Sequence, residues 1–511
     1  MTRTSTVTPD NVKEYLPCKS TSARLIKGTY YVYKYTAVKL PSGKWGTDSG
    51  YVIGKIIPGK GFMPNKRYMK EQEELGIVYY KDGITDVAYR ADVAYGQYGL
   101  LMHLSADVYE RLKKHFPLEM ATQIYSYGLI LSANNFVYKD QVDEYYQESF
   151  LSVLFGDYSF KMGYKALSSL LHHLGSRGEP VRDFEQSLID ECSKNIAIDG
   201  HVIRSCSELN DLAEPGYKTK QLKAPQVNLL IAYDTKTNIP LLYRTFRGSS
   251  VDKRSCEAML RSHNFTNVKF VVDKGFRSPA ILKAMSSDGN SYIIPVLTSD
   301  KNFKRIKENL EYTEEFIYKI DAKNSARILY YHEELQEGKT ITVYKDVDEN
   351  NSKRKSYRIN MDLSEDGYTQ EGYDEHCDWW GVYILESTTG CTAEQDFKDY
   401  KDRWSIETFN NYIKNDAGFT NLKIQDYYEE QGFNFIMLVC GLIHAKLNRA
   451  VIDMKKPSIS TVDILLKAGH MRMVKSKDHI WELRNTRTKD IELLDELGFK
   501  PMKTFSAASN T

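Results

Sequence analysis

The rhythm of hydrophobic and polar positions changes three times along the chain. Between residues 23 and 90, apolar runs such as TYYVYKYTAVKL and SGYVIGKIIP are rich in Tyr, Val and Ile and are broken by Pro-Ser-Gly and Pro-Gly turns. This predicts short strands. From 105 to 190, SADVYERLKKHF, MATQIYSYGLILSA and KALSSLLHHLG carry apolar residues at helical spacing, which predicts helices. Then SKNIAIDGHVIR, QVNLLIAYDT and IPLLYRTF read as three strands, the last two joined by the turn Lys236-Thr237-Asn238. VDKRSCEAMLRSH reads as a helix, VKFVVD as a strand, SPAILKAMSSDG as a second helix and SYIIPVL as a fifth strand. Two antiparallel connections followed by helical crossovers predict a mixed sheet with covered faces.

Beyond residue 310 the pattern breaks. RILYYHEEL, KTITVYKD and KSYRINMDL are charged but strand-like and predict an inserted β-subdomain. GVYILEST predicts one more strand, and CTAEQDFKDYKDRWSIETFNNYIKN one long helix. The sequence therefore divides into a basic strand-rich N-terminal region (1–100), a helical region (101–190), a first core segment (191–310), a β-rich insertion (311–380), a second core segment (381–440) and a helical C-terminal region (441–511). The fold class is α/β.

Composition narrows the field without choosing within it. With 511 residues, 41% of them hydrophobic and 27% charged, the chain has ordinary globular proportions and ample length for a large core. The longest clean apolar run, near Phe435–Ile443, is far short of the ~20 residues that span a bilayer, so no membrane partner is expected. The polar N-terminus predicts no secretory leader. Seven scattered cysteines without a C-x-x-C pair argue against a disulfide scaffold or zinc ribbon and fit a reducing cytoplasm.

The formal charge of +1 hides an asymmetry. Residues 1–70 hold 13 Lys and Arg against 3 Asp and Glu, and residues 444–477 hold 8 against 2. Basic regions flank an acidic middle, the pattern of phosphate-binding surfaces around a metal-binding centre. Solvated surface charge gives the same counts.

Three acids occupy informative places. Asp199 lies in the strand IAIDG, Asp273 ends the strand FVVD, and Glu407 sits midway along the long helix. Ligands collect at the carboxyl ends of parallel strands. Three carboxylates brought together repel unless cations compensate, and hard oxygen ligands suit Mg²⁺ or Mn²⁺. Two such ions can activate a nucleophile and stabilise the leaving oxygen of a phosphodiester. At about 100° per residue, Tyr400, Arg403, Glu407 and Lys414 share one helical stripe roughly 60° wide. An acid, two cations and a phenol do not make a core face; the plain alternative is a solvated stripe of i,i+4 ion pairs.

Here the sequence resembles a known family. Tyr400-x2-Arg403-x3-Glu407-x6-Lys414 looks like the YREK signature of DDE transposases of the insertion-sequence-4 type. IAIDG and VVDKGF resemble that family's two Asp segments, and RTFRGSSVD, with Gly248 and Asp252, resembles the turn between them. The N-terminal YYVYKYT…VIGKI stretch is similar to the branch named for insertion sequence 1634. The resemblance implies a ribonuclease-H-like core interrupted by a β-rich insertion, and cut-and-paste transposition of double-stranded DNA at terminal inverted repeats. It implies two Mg²⁺ ions (or Mn²⁺) on Asp199, Asp273 and Glu407. It also implies DNA binding through the basic N-terminal region 1–100, DNA contacts from Tyr400, Arg403 and Lys414, and a homodimer in the synaptic complex of a bacterial-type, nucleoid-associated protein. An aromatic in the insertion can stack on a flipped base, which makes Trp379 a further DNA candidate; a packed Trp379-Trp380 pair is the plainer reading. His201 and Ser249 depart from the family pattern without removing a ligand.

Weaker candidates fall away on their own chemistry. Gly54-x4-Gly59-Lys60 lacks the Ser or Thr of a phosphate loop, and Tyr331-His332-Glu333-Glu334 lacks the second His of a zinc helix. Asp234 rivals Asp199 but precedes a turn, where Asp is common for local reasons. A metal-dependent nuclease on the same core, or a DNA-binding protein descended from a transposase, would share most of these features.

Overall fold

The computed structural model describes residues 10–13, 15–18, 20–39, 45–57, 61–73, 92–134, 137–205, 210–215, 225–250, 252–308, 311–319, 326–413, 421–422, 424–476 and 480–506. Lys414, Cys206 and the Gly59-Lys60 turn lie outside them. The chain forms two compact units.

The larger unit comprises residues 101–146 and 155–461. Its sheet is built from β1 (Asn195–Ser205), β2 (Pro225–Asp234), β3 (Ile239–Arg247), β4 (Lys269–Val272) and β5 (Ser291–Pro295). Helix α1 (Asp252–Ser262) joins β3 to β4, and α2 (Pro279–Ala284) joins β4 to β5. The spatial order is β3-β2-β1-β4-β5. β1, β2 and β3 pair antiparallel, while β4 is parallel to both β1 and β5. This is the mixed sheet that the sequence pattern predicts. Its strands are apolar on both faces: nine of the ten residues of β2 are buried, as expected where helices cover a sheet on both sides.

Residues 314–346 do not make a separate β-subdomain. β6 (Glu314–Lys319), β7 (Ala326–Gln336) and β8 (Lys339–Asp346) continue the same sheet through β9 (Val382–Ser387). β9 pairs antiparallel with β5 on one side and β8 on the other. The insertion's second half corrects the sequence reading: KSYRINMD lies within a helix, α3 (Val347–Asp362), which Leu363 caps, followed by α4 (Gln370–His376). The signal was present upstream. Asp346 caps α3 by accepting from the Glu349 amide at 2.8 Å, and Asp346-x-x-Glu349 is a capping pattern.

The expected long helix is broken. α5 (Ala393–Asp402) and α6 (Trp404–Asn411) meet at Arg403, which keeps right-handed helical dihedrals but makes an i,i+3 turn to Ile406. Last comes α7 (Tyr427–Asp453), which packs on β3 and on the helices Leu118–Ala133 and Tyr164–Ser176. It is long and apolar enough to cross a membrane, yet two thirds of its apolar window is buried inside the fold. Its crossing with Tyr164–Ser176 depends on two glycines. A Cβ at Gly432 would lie 1.9 Å from the Leu171 carbonyl oxygen, and one at Gly175 1.9 Å from that of Tyr428.

The smaller unit comprises residues 1–100, 147–154 and 462–511. Thr21–Ile26, Thr29–Lys39, Trp45–Ile57 and Gly61–Pro64 form an antiparallel meander over a core of Val12, Ala23, Val32, Ile53, Ile56, Phe62 and Tyr68. A second sheet joins Asp92–Ala94 to Arg472–Lys475, Ile480–Arg484 and Thr504–Ser506. The C-terminal region is therefore not wholly helical, as its sequence had suggested. These strands are three to five residues long and pair with a segment from the other end of the chain. Local pattern cannot register such pairing.

Candidate active site

The parallel pairing of β1 and β4 sets the geometry. Val272 lies opposite Ile198, so the next residue along each strand, Asp273 and Asp199, sit side by side at the carboxyl end of β4. There β4 stops and β1 runs on to Ser205. Among the described residues, that edge of β1 pairs next at Arg204 with Asn421. Asp199 thus lies at the mouth of a gap in the sheet. Both aspartates are half-exposed although they follow fully buried apolar runs, Ile196–Ile198 and Phe270–Val272. Asp273 also precedes the short 3-10 turn Lys274–Phe276.

Helix α6 is laid across this gap. Asn410 Nδ2 donates to Asp199 Oδ2 at 2.8 Å. Glu407, one turn earlier, is partly exposed and accepts from Arg403 Nη2 at 3.2 Å. The Arg403 guanidinium lies 5.7 Å from the centre of the Tyr400 ring. Burial raises the Tyr400 phenol above its ordinary pKa; Arg403 opposes that rise, and the charges of Asp273 and Glu407 add to it. Tyr400, Arg403, Glu407 and Asp273 therefore share one electrostatic neighbourhood, and Asn410 ties their helix to Asp199. The sequence reading missed Asn410, although it stands three residues after Glu407 and so on the adjoining helical row.

A second omission is the clamp that seats α5 on the sheet. The Asp399 carboxylate, 1% exposed, meets Lys236 Nζ at 2.8 Å and Lys269 Nζ at 2.5 Å. Lys236 also reaches Asp402 at 2.6 Å. Burial pushes the Asp399 carboxyl upward, but hydrogen bonds from the two lysines outweigh it and hold the carboxyl below its usual range. Lys269 opens β4, the strand that leads into Asp273. One buried carboxylate thus fixes the position of the helix that carries Tyr400. Nothing in the local sequence pairs a lysine at 236 or 269 with an acid at 399.

The remaining candidates take structural positions. Asp234 accepts from the amides of Ser193, Lys236 and Thr237 at 2.7, 3.0 and 3.3 Å, the turn-closing role of a buried Asp. Ser249 hydrogen-bonds Glu214. His332 lies on a strand and bonds Thr313. His201 is half-buried and, by the pleat of β1, on the same face as Asp199. Trp379 is half-buried; it packs on Phe303 at 5.4 Å, beside a cluster of Val296, Ile306, Ile341, Val343 and Ile384. Trp380 packs on Tyr357 and Tyr373.

The chemistry of the donor set suits a hard divalent cation. Asp199, Asp273 and Glu407 offer only hard carboxylate oxygens, the kind that Mg²⁺ and Mn²⁺ select. Among the described residues, no group of three or more His, Cys, Asp or Glu side chains is gathered closely enough to form a metal cage. Two of the three carboxylates instead accept from nitrogen donors, Asn410 and Arg403. The residues fit in kind, in an arrangement where protein donors hold the carboxylates.

No curated protein matches the chain. Among solved structures it is similar to a piggyBac transposase synaptic complex with hairpin DNA, determined by cryo-electron microscopy. That likeness has 11% identity and a TM-score of 0.37, over 68% of this chain and 70% of that one. Residues 191–448, which run from just before β1 into α7, match the family described as the transposase DDE domain. Matched over half its length, in the segment that holds Asp199, Asp273 and Glu407, the chain belongs to the transposase DDE domain family.

Proposed function

We propose that this transposase is of the insertion-sequence-4 type and catalyses cut-and-paste movement of its own element, cutting at terminal inverted repeats and joining the freed ends to target DNA. The observation that carries this reading is the neighbouring placement of Asp199 and Asp273, one step past the Val272–Ile198 pair, with α6 bonded across the gap through Asn410. The strand order β3-β2-β1-β4-β5 supports the ribonuclease-H-like class. The motif Tyr400, Arg403, Glu407, Lys414 supports the type.

Asp199, Asp273 and Glu407 would hold Mg²⁺ or Mn²⁺, which supplies charge neutralisation and a water of lowered pKa. The chain's own groups do the rest. Asn410 keeps the Asp199 carboxylate oriented. Arg403 has two roles available: it pairs with Glu407 in the free protein and offers a planar fork to a DNA phosphate once that carboxylate is engaged elsewhere. The buried Arg403 Nε has no hydrogen-bond partner among the described residues. Tyr400, a neutral phenol whose pKa burial raises further, lines the same place as a donor without charge. Lys414 is proposed as a second phosphate contact. A second copy of the chain is proposed as partner in the synaptic complex, since two ends must be joined.

The test is cleavage of a DNA fragment bearing the element's own ends, with Mg²⁺ against Ca²⁺, for the parent protein, Asp273→Ala and Glu407→Gln. End cleavage that requires Mg²⁺ and both carboxylates, followed by joining to a second DNA, is the expected result. Parent protein that is folded and binds the ends but leaves them uncut refutes it.

A further inference from the structure

Helix α3 carries a cluster of cations near its middle. Lys353, Arg354, Lys355 and Arg358 lie within six residues. Arg354, Lys355 and Arg358 line an open groove of about 560 Å³ together with Asn351, Ile359, Asp362, Leu363 and Tyr373. In helical geometry Arg354–Arg358 is an i,i+4 pair and Lys355–Arg358 an i,i+3 pair, so like charges stack along the groove. Such pairs weaken a helix in isolation. Acids offset part of this charge: Asp362, i,i+4 from Arg358, lines the groove as well, Lys353 pairs with Glu349 at 2.6 Å, and Arg354 with Asp378 at 2.7 Å.

Two features make the groove a receptor rather than merely a charged surface. Arg358 is exposed, and its guanidinium is held 4.7 Å from the centre of the Tyr373 ring. Tyr373 is itself packed against Tyr357 and Trp380. An aromatic face fixes the guanidinium plane while leaving its N–H donors for an oxyanion. Beside it, Lys345 from β8 is pushed below its ordinary pKa, first by burial and then by the Arg354 charge, with Asp378 and Cys377 opposing. The Lys345 ammonium donates to the Asp378 carbonyl at 2.6 Å, which seats a further cation beside Arg354.

We propose that the groove formed by Arg354, Lys355 and Arg358 on α3 is a docking track for the sugar-phosphate backbone of duplex DNA, separate from the carboxylate site. Charge complementarity carries the choice of occupant: closely spaced cations, one of them fixed on a ring, match successive phosphates rather than a single small anion. The proposal rests on the reading of the chain as a transposase, and assigns the insertion a positioning role in DNA binding that its half-buried tryptophans do not supply.

The experiment is fluorescence anisotropy of the full chain with a labelled duplex over a range of salt, for the parent, Lys355→Ala/Arg358→Ala and the exposed-surface control Lys165→Ala. Two lost phosphate contacts lower the salt slope by about 1.8, so between 50 and 200 mM salt the parent loses about tenfold more affinity than the double variant. At 50 mM the double variant binds more weakly than the parent, by tenfold or more on the order of magnitude expected from that slope. Lys165→Ala should keep the parent slope. A double variant with unchanged melting temperature and the parent's affinity and slope overturns the proposal. Loss of binding in the double variant, beside a parent that never cuts DNA, would uphold the track while refuting the catalytic reading, so the two failures are distinguishable. Arg358→Lys, which keeps the charge but not the planar fork, should recover part of the affinity.

Discussion

Replacing Asp399 with Asn tests whether the candidate site depends on the clamp beneath it. The substitution keeps the size and removes the charge that two lysines share. Lys269 has a side chain 18% exposed, and Lys236 one 36% exposed with Asp402 still in reach. Breaking a buried pair from one side costs about 3–5 kcal/mol. Water already screens Lys236, so the lower end applies, about 3 kcal/mol. Each kcal/mol shifts Tm by about 2–4 °C for units of 150–250 residues and by less for larger ones, so Asp399→Asn should melt about 6 °C below the parent at pH 7. The pH dependence has a definite sign. The Asp399 carboxyl is held below its ordinary value in the folded chain. Its contribution is therefore full above the unfolded value near 3.9 and is lost as pH falls through the folded one. The gap between parent and variant should close below about pH 4. Lys269→Met added to Asp399→Asn should recover part of the loss, because removing both charges leaves none buried and unpaired. Calorimetry at pH 7 and pH 3.5 reads all of this. A variant melting within about 1 °C of the parent at pH 7, or a double variant that falls a further step of equal size, would refute the clamp.

Three other outcomes follow from the same structure. Gly432→Ala should lower stability by about 1–3 kcal/mol despite the better helix propensity of Ala, because the added methyl meets the Leu171 carbonyl; denaturant melts against Gly175→Ala would check it. His444 is stacked on Tyr412 with centroids 3.4 Å apart, and burial lowers its pKa to about 4. Unfolded chain then binds the extra proton between about pH 6.5 and 4, so stability falls through that window by up to about 3 kcal/mol, and His444→Phe should flatten the fall in a pH series of melts. Asn410→Asp would set a second carboxylate against Asp199, favouring a shared proton there. End cleavage should drop about tenfold or more and recover toward higher pH, while end binding stays at the parent level.

Much of the core was legible because its segments satisfy local rules. β1, β2, β3, α1, β4, α2 and β5 each bury a continuous run or stripe, and their order reads directly from the chain. Asp273 stood out because an acid directly follows Phe270–Val272, and Glu407 because four polar residues shared a stripe. That stripe was drawn on an ideal helix, and the turn at Arg403 breaks the ideal. What the sequence hid was contact between distant segments: Asn410 with Asp199, Asp399 with Lys236 and Lys269, and β9 joining β5 to β8. The α3 helix was hidden for a different reason, since its charged composition outweighed the cap at Asp346.

The second sheet of the smaller unit has a consequence in time. Asp92–Ala94 leaves the ribosome early, yet it pairs with Arg472–Lys475, and the sheet is finished only by Thr504–Ser506. About 400 residues, roughly 20–80 s of synthesis at 5–20 residues per second, separate the first strand from the last. Through most of that interval the early strand has, among the described residues, the single bridge of Ala94 with Ser149 in place of a full ladder. The larger unit, whose strands follow one another closely, can close first. A chain cut short between residues 454 and 470 would carry Asp199, Asp273 and Glu407 and still lack this sheet, so the smaller unit is completed only after residues 472–506 are made.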